Sequence, residues 1–244
     1  MSASRFFVAG IFAIGDAVDL AADEARKLLV VLRARAGDAV EVVDSSGRVY
    51  RALLHVEDKR VTALLERELT APPALKLRVT LAQGVPKGQK MDYVIEKATE
   101  LGIARIMPFT SARSAGERTR DGKVERWRRI ARSAAQQCGR SDVPEVADPV
   151  DFAALVAQVG RHDLTLVPWE LAKAQPLRER IPALIEGAAT ALLGIGPEGG
   201  LEDAEARTLE TAGAHLVSLG SRILRTETAG LVAYAALLYA SGDI

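Results

Sequence analysis

The sequence of 244 residues predicts an α/β protein with a small β-rich unit ahead of a larger domain. From Leu75 onward, short apolar segments alternate with segments of helical spacing, which is typical of a parallel sheet covered by helices. Residues 1–70 instead hold strand-like segments separated by polar turns, a pattern that predicts a meander or small barrel. Between them, Thr70–Ala74 contains two prolines that cannot continue a β-ladder, so we place the domain boundary there and begin the second domain at residue 75.

The elements follow from apolar periodicity. In the first unit the predicted strands are Arg5–Val8, Ala39–Val43, Val49–Val56 and Val61–Leu65, with a helix over Asp23–Ala34. In the second, the predicted strands are Lys76–Ala82, Ile103–Phe109, Leu164–Val167, Ala189–Ile195 and His215–Leu219. The predicted helices are Met91–Leu101, Val124–Cys138, Leu177–Ile185, Glu202–Thr211 and Glu227–Ala240. The last of these is apolar on nearly every side, which predicts burial in the core or against another subunit.

Composition excludes several classes of protein. The 32 basic and 32 acidic residues cancel, so no overall field selects a polyanionic partner. One cysteine permits no internal disulfide, and with three scattered histidines a metal site is not indicated. No apolar run is long enough to cross a bilayer, and Met1–Arg5 is not followed by a signal-peptide core. We therefore expect a soluble cytosolic protein.

Two loops near the C-terminus each follow an apolar segment and precede a helical one. They are Leu193–Gly200 and Leu219–Ala229. In open α/β folds such loops lie at the carboxyl ends of the strands, where ligands bind. Two of them in one short region therefore predict a small-molecule site.

The first loop resembles a dinucleotide-binding fingerprint through the spacing of Gly194, Gly196 and Gly199. That fingerprint expects an acidic residue about twenty positions later, where this chain has Leu219–Arg222, and Glu198 inside the loop would repel a pyrophosphate. The loop has no Gly-Lys-Ser/Thr end either, which excludes a P-loop. Glycines without a phosphate-binding charge suit a neutral or cationic adenosine ligand such as S-adenosylmethionine. A plain Gly/Pro turn without a ligand is the alternative.

The second loop carries two arginines beside a glycine turn. Arg222 and Arg225 are suited to a phosphate or to the anionic edge of a base; surface salt bridges are the alternative. Thr226, Glu227 and Thr228 then open the last helix, where hydroxyls and a carboxylate also serve as caps.

Basic residues cluster in the middle of the chain. Between residues 113 and 140 there are nine basic residues against three acids, and Lys87, Lys90 and Lys97 add to them. The nine are Arg113, Arg118, Arg120, Lys123, Arg126, Arg128, Arg129, Arg132 and Arg140. Such a cluster fits a nucleic-acid backbone, and a solvated helix face is the alternative. Trp127 and Cys138 are predicted in or near the core, and His215 is predicted to be structural.

The two loops together resemble the signature loops of the RsmE family, the bacterial 16S ribosomal RNA uridine-N3 methyltransferases of the SPOUT superfamily. Gly88–Asp92, Glu96–Gly102 and Gln137–Arg140 match the family as well, and the likeness extends to Arg5–Val8 at the start. The resemblance thus covers the whole chain.

The resemblance implies a PUA-like β-barrel over residues 1–70 that binds RNA, and a SPOUT-type α/β domain over 75–244. It also implies a trefoil knot over about 164–244, where the general rule against threaded chains predicts an open sheet. The resemblance further implies a homodimer that packs through the knot region, and S-adenosylmethionine bound in a bent conformation. The implied cofactor-binding residues are Leu166, Val167, Pro168, Glu170, Gly194, Ile195, Gly196, Pro197, Glu198, Gly199, Gly200, Leu219, Gly220, Ile223, Leu224, Arg225, Thr226, Thr228 and Ala229.

The implied reaction methylates N3 of a uridine in the 16S RNA of the small ribosomal subunit. We expect Arg225 and Arg222 to stabilise charge on the base and Glu198 to accept the proton or attract the cationic end of the cofactor. The predicted RNA contacts are Arg5, Lys87, Lys90, Arg113 and Arg140. A nucleotide-dependent oxidoreductase, another SPOUT-type RNA methyltransferase and a non-catalytic RNA-binding protein remain as alternatives.

Overall fold

The computed structural model describes residues 4–58, 60–114 and 122–244. The chain forms two compact units, one of Met1–Pro73 with Ala135–Val143 and one of Ala74–Ala134 with Pro144–Ile244. Arg118 and Arg120 of the predicted basic cluster lie outside the described residues.

The first unit is built on a five-stranded sheet. Its strands are β1 (Arg5–Phe7), β2 (Ala17–Asp19), β3 (Ala39–Val43), β4 (Val49–Glu57) and β5 (Arg60–Leu69), in the order β1-β3-β4-β5-β2. The β1–β3 pair is parallel and the other pairs are antiparallel. Tyr50, Leu54 and Leu65, each about 1% exposed, form much of its core. Sequence analysis missed β2, because three residues with one buried side chain leave no alternation to detect.

The predicted helix of this unit has an unexpected form. An α-helix, α1 (Ala22–Arg26), continues directly into a π-helix over Lys27–Leu32. The π-helix ends at Arg33, whose φ of 54° is left-handed. The periodicity of Ala25 and Leu28 predicted a helix, and both side chains are buried. Nothing in that periodicity distinguishes a wider helical turn from an α-helical one.

The second unit contains a six-stranded, all-parallel sheet, as the alternation predicted. Its strands are β6 (Arg78–Gly84), β7 (Arg105–Phe109), β8 (Glu145–Val146), β9 (Leu164–Pro168), β10 (Thr190–Ile195) and β11 (His215–Val217), in the order β11-β9-β10-β6-β7-β8. Its helices are α2 (Lys90–Glu100), α3 (Lys123–Cys138), α4 (Phe152–Val156), α5 (Leu177–Ile185), α6 (Asp203–Thr211) and α7 (Thr226–Ser241). A single turn of 3-10 helix covers Val159–Arg161. The last turn of α3 falls in the first unit.

Two elements were not predicted, and two predictions need correction. Both β8 and α4 are very short, and α4 begins at a capping Asp151 rather than at a periodic apolar run. Strand β11 ends at Val217, since Ser218 forms an isolated bridge with Pro176. Cys138 is exposed rather than in or near the core, whereas Trp127 is buried as predicted.

The parallel arrangement positions the site. Because all six strands run the same way, their carboxyl ends share one edge of the sheet, and loops after β6, β9, β10 and β11 start there. These four strands are adjacent in the sheet. Segments separated by more than 100 residues in sequence, such as Gly84 and Pro197, therefore become neighbours.

Candidate active site

The loop after β10 lies directly against the end of β6. A Cβ atom on Gly84 would come 2.5 Å from the Pro197 nitrogen and 2.9 Å from the Gly196 carbonyl carbon. Gly196 is packed less closely, since a Cβ there would lie 3.2 Å from the Gly200 carbonyl carbon and from the Leu201 nitrogen. Backbone thus fills the space that a side chain would occupy at Gly84, so this position requires glycine, and the contact at Gly196 is tight.

A buried relay joins this loop to the start of α7. The side-chain amide of Gln83, which has no exposed surface, donates to the Thr226 hydroxyl over 2.8 Å and to the Gly84 carbonyl over 3.0 Å. The Thr226 hydroxyl donates in turn to the Gly196 carbonyl over 2.6 Å. Three segments far apart in sequence are therefore held together by one directed chain of hydrogen bonds. Gln83 was not among the predicted site residues, although its position at the end of a strand just before the Lys87–Lys90 loop could have indicated it.

We expect Thr226→Val to lower the free energy of unfolding by about 1–3 kcal/mol. The valine keeps the shape but leaves the Gln83 amide and the Gly196 carbonyl without this partner. Thr226→Ser retains the hydroxyl and is the matched control. Chemical denaturation of the three proteins measures the difference. Unchanged stability in the valine variant would show that the hydrogen bonds of the Thr226 hydroxyl do not stabilise the fold.

Lys90 joins two carboxylates at the same edge. Its ammonium lies 3.0 Å from Glu198 Oε1 and 3.8 Å from Glu227 Oε2. The Lys87 backbone nitrogen also donates to Glu198 Oε1, over 2.9 Å. Oε2 of Glu227 is buried and accepts no hydrogen bond from any described residue. Lys90 was predicted as an RNA contact and Glu227 as a cap; the structure places both in one charged cluster with Glu198.

The pKa of Glu198 lies below its ordinary value. Burial raises this pKa, but hydrogen bonds from the Lys90 ammonium and from backbone N–H groups, including that of Lys87, outweigh the effect of burial. A depressed folded-state pKa means that Glu198 stabilises the fold at neutral pH. That stabilisation is lost as the pH falls through the folded-state pKa, below the ordinary glutamate value of about 4.3.

We expect Lys90→Met to raise the pKa of Glu198 towards its ordinary value, since the ammonium that favours the ionised carboxylate is removed. An NMR titration of the Glu198 carboxyl carbon measures the shift. Lys97→Met is the matched control, because Lys97 pairs with Glu96 and Glu100 on α2 instead. An unchanged Glu198 titration in the Lys90 variant would contradict the assigned cause.

Two further contacts shape the loop after β10. Arg113 donates to the Gly199 carbonyl over 3.0 Å. Gly200 has a left-handed φ of 70°, and a Cβ on it would lie 2.8 Å from Glu170 Oε1, so the segment after β9 reaches this loop. Arg113 was predicted as an RNA contact and is about half exposed, with its Nε 3.7 Å from Glu202.

The two arginines of the last loop are exposed to solvent. Within the described part of the chain, neither Arg222 nor Arg225 forms a hydrogen bond or an ion pair through its guanidinium. Arg225 immediately precedes α7, and its carbonyl accepts from the backbone nitrogens of Thr228 and Ala229. The salt-bridge alternative therefore has no support in the described residues, and both side chains are available to an anion.

The end of β9 has buried side chains. Leu166 and Val167, both within the strand, are about 0% and 1% exposed and belong to the core, which leaves their main chain as the part that could hold the predicted cofactor. Nε1 of Trp169, next to Pro168, is buried and has no hydrogen-bond partner among the described residues. Trp169 lies within the loop that the resemblance implies for the cofactor, Leu166–Glu170, but was not singled out as a site residue.

Arg5 and Arg140 are held by carboxylates in the first unit. Arg5 pairs with Glu41 over 2.6 Å and Arg140 with Asp142 over 2.7 Å, with side chains only 10% and 12% exposed. Arg5 also donates to the Gly139 carbonyl. The phosphate contacts predicted for both arginines stay predictions. In the structure, both guanidinium groups are largely buried and paired with carboxylates.

The basic face of α3 is partly neutralised. Arg126 pairs with Asp92, and Arg128 pairs with Glu125 and Asp148.

In the part of the chain that the structure describes, no three metal-binding side chains come together. No helix in the same ranges combines the length and apolarity that crossing a membrane requires.

The chain is similar to known RNA methyltransferases. The model of the RNA methyltransferase domain family matches residues 73–238. Ribosomal RNA small subunit methyltransferase E of Bacillus subtilis is 33% identical over 224 residues, covering 89% of this chain and 88% of that protein. The Synechocystis protein of the same name is 35% identical over 239 residues, covering 96% of this chain and 76% of its own.

A solved structure extends the likeness to the fold. The Neisseria gonorrhoeae ribosomal RNA small subunit methyltransferase E, crystallised bound to S-adenosyl methionine, superposes with a TM-score of 0.87 at 31% identity over 97% of both chains. A match of this kind covers both units and both signature loops. The chain therefore belongs to the ribosomal RNA small subunit methyltransferase E family, whose catalytic part is an RNA methyltransferase domain.

Proposed function

We propose that this protein transfers a methyl group from S-adenosylmethionine to N3 of a uridine in the 16S RNA of the small ribosomal subunit, in the cytoplasm. One observation carries the proposal. The Thr226–Gly196 hydrogen bond joins the glycine loop after β10 to the start of α7 at one edge of the sheet. Arg222 and Arg225, which are unpaired among the described residues, lie just before α7. The family relationship and the S-adenosyl methionine bound to the Neisseria protein support the choice of cofactor.

The residues present fit an adenosine cofactor. Gly196 has no side chain to cover the backbone of its loop, and the buried Trp169 Nε1 offers a donor without a partner in the described residues. The glycine loop itself contains no cationic side chain that would bind a phosphate. The proposed holding groups are the main chains of Leu166–Glu170, Gly194–Gly200 and Leu219–Ala229.

When bound, S-adenosylmethionine supplies an electrophilic methyl group on a sulfonium. A uridine N3 becomes nucleophilic only as its imide proton leaves, and the resulting charge spreads over O2, N3 and O4. Arg225 and Arg222 are the proposed stabilisers of that charge, since both are exposed at the loop and unpaired among the described residues.

Glu198 is assigned an electrostatic role. Its pKa is held below the ordinary value despite partial burial, because Lys90 and backbone donors favour the carboxylate. A carboxylate of lowered pKa is a weak base at neutral pH. We therefore assign to Glu198 the attraction of the cationic methionine end of the cofactor and not the removal of the N3 proton.

We also propose the finer fold and assembly. The trefoil knot over about 164–244 is supported by the bridge between Ser218 and Pro176, in which the Ser218 nitrogen donates to Gln175 over 2.8 Å and its carbonyl accepts from Leu177. A PUA-like barrel over residues 1–70 and a SPOUT domain over 75–244 complete the fold. A homodimer is supported by the apolar α7, which leaves Val232 43% and Tyr239 78% exposed.

Methyl transfer to small ribosomal subunits from a strain that lacks this activity tests the proposal. The subunits are incubated with the protein and labelled S-adenosylmethionine, and the RNA is digested to nucleosides for mass spectrometry. N3-methyluridine is the expected product. Another methylated nucleoside would point to a different RNA methyltransferase, and RNA binding without transfer would point to a non-catalytic protein.

A further inference from the structure

Three charged side chains at the carboxyl edge of the second sheet do not balance one another. Lys90 begins α2, Glu198 lies in the glycine loop after β10, and Glu227 lies in the first turn of α7. One ammonium thus lies between two carboxylates, so this group, the charged triad, has one negative charge in excess. The cations of the neighbouring loops are exposed, so water and salt weaken their effect on the triad; they are Lys87, Arg113, Lys173, Arg222 and Arg225.

The two carboxylates of the triad are not equally paired. The Lys90 ammonium donates to Glu198 Oε1 over 3.0 Å, and this oxygen also accepts from the Lys87 backbone nitrogen. The same ammonium lies 3.8 Å from Glu227 Oε2, which is beyond hydrogen-bond distance. That oxygen is buried and accepts no hydrogen bond from any described residue. Since a buried carboxylate oxygen without a donor destabilises a fold, Glu227 offers an acceptor to any donor that comes within reach.

The backbone around the triad is held in place, and the Lys90 ammonium is its movable part. The Thr226 hydroxyl donates to the Gly196 carbonyl over 2.6 Å, which ties the residue before Glu227 to the glycine loop. The Lys90 side chain is 38% exposed and carries its ammonium on a flexible four-carbon stem. A displacement of about 1 Å brings the ammonium within hydrogen-bond distance of Glu227 Oε2. The triad therefore has two arrangements, which differ in the carboxylate that holds Lys90.

We propose that Lys90 exchanges carboxylates when the cofactor binds, and that Glu227 is the positioning residue that receives it. This inference rests on the proposed function, in which Glu198 attracts the cationic methionine end of S-adenosylmethionine. Lys90 leaves Glu198 to the methionine ammonium and donates to Glu227 Oε2 instead. Both cations then have a carboxylate partner, because the triad carries one negative charge more than Lys90 neutralises. Glu227 thereby favours an adenosine ligand that carries an ammonium.

Calorimetry with two adenosine ligands tests the exchange. S-adenosylhomocysteine carries the ammonium, and its deamino analogue has hydrogen in place of the amino group. Glu227→Gln keeps the shape of the side chain but removes the charge that receives Lys90. We expect this variant to bind S-adenosylhomocysteine about tenfold more weakly than the wild-type protein, and its affinity for the deamino analogue to change by less than about threefold. The matched control Glu100→Gln removes a carboxylate paired with Lys97 on the same helix as Lys90, and it retains both affinities.

A Lys90→Met background separates the exchange from direct attraction of the ligand by Glu227. Without the Lys90 ammonium, Glu227 has no cation of the triad to receive. In this background we therefore expect Glu227→Gln to change S-adenosylhomocysteine affinity by less than about threefold. A tenfold loss in both backgrounds would show that Glu227 acts on the ligand directly, and it would overturn the exchange.

Other outcomes also decide against the exchange. Equal weakening of both ligands by Glu227→Gln would leave Glu227 with a structural role alone, and circular dichroism verifies that the variant is folded. Slower methyl transfer with unchanged affinity for both ligands would place Glu227 in the reaction step instead. A failure of the proposed function is distinguishable, since the wild-type protein would then bind no S-adenosylhomocysteine and both proposals would be overturned. Failure of the exchange alone leaves wild-type binding intact.

Discussion

Arg225→Ala is expected to lower the rate of methyl transfer by about 10²–10³, the usual effect of removing one donor to a charge that develops in the reaction. The Arg225 guanidinium is exposed at the start of α7 and unpaired among the described residues, so its removal breaks no contact of the fold that the structure shows. S-adenosylhomocysteine affinity is expected to change by less than about threefold. Single-turnover transfer and calorimetry separate the two quantities.

Arg178→Ala is the matched control for this variant. Arg178 is 85% exposed on α5 and pairs only with its neighbour Glu179 among the described residues. Loss of such a surface pair changes stability little. Equal activity in the two variants, or a loss in Arg225→Ala that follows cofactor affinity, would remove Arg225 from the reaction step.

Gly84→Ala is expected to weaken S-adenosylhomocysteine binding by up to about 100-fold, the effect of 2–3 kcal/mol of overpacking. The new Cβ would lie 2.5 Å from the Pro197 nitrogen and 2.7 Å from Pro197 Cδ. Those atoms belong to a backbone segment that cannot rotate away, so the glycine loop must move off the sheet edge. Calorimetry measures the affinity, and circular dichroism verifies the fold.

Gly160→Ala makes the same chemical change in open space. No atom lies within 4 Å of a Cβ built there. We therefore expect wild-type cofactor binding from this variant. If Gly84→Ala also bound normally, the close approach of β6 to the glycine loop would have no part in forming the site.

Local patterns predicted most of the fold correctly. The helix over Leu177–Ile185 and the strand over Ala39–Val43 have the predicted bounds, because each carries a full period of apolar side chains between clear breaks. Errors concentrate in short elements. Strands β2 and β8 have three and two residues, so they owe their conformation to a neighbouring strand and show little alternation of their own.

The site residues also fall into two groups, those predictable from local sequence and those defined by distant contacts. Its glycines and the two arginines of the last loop were recognisable because loop composition is local, and the resemblance to a family added their roles. Gln83, Lys90 and Glu227 were not assigned their contacts, since their partners lie more than 100 residues away in the chain. The same residues in a sheet with a different strand order would have had different neighbours.

The sequence by itself determined the alternation of strands and helices, the place of the glycine and arginine loops, and the kind of ligand that their charges accept. Those properties depend on side-chain periodicity and on residue type within a few positions. Only the tertiary structure decided that Gln83, Thr226 and Gly196 form one relay and that Lys90 holds Glu198. It also decided that Arg222 and Arg225 have no ion-pair partner among the described residues. The physical reason is that hydrogen bonds and ion pairs act over a few ångströms in space, and parallel strand order brings together segments that the chain keeps far apart.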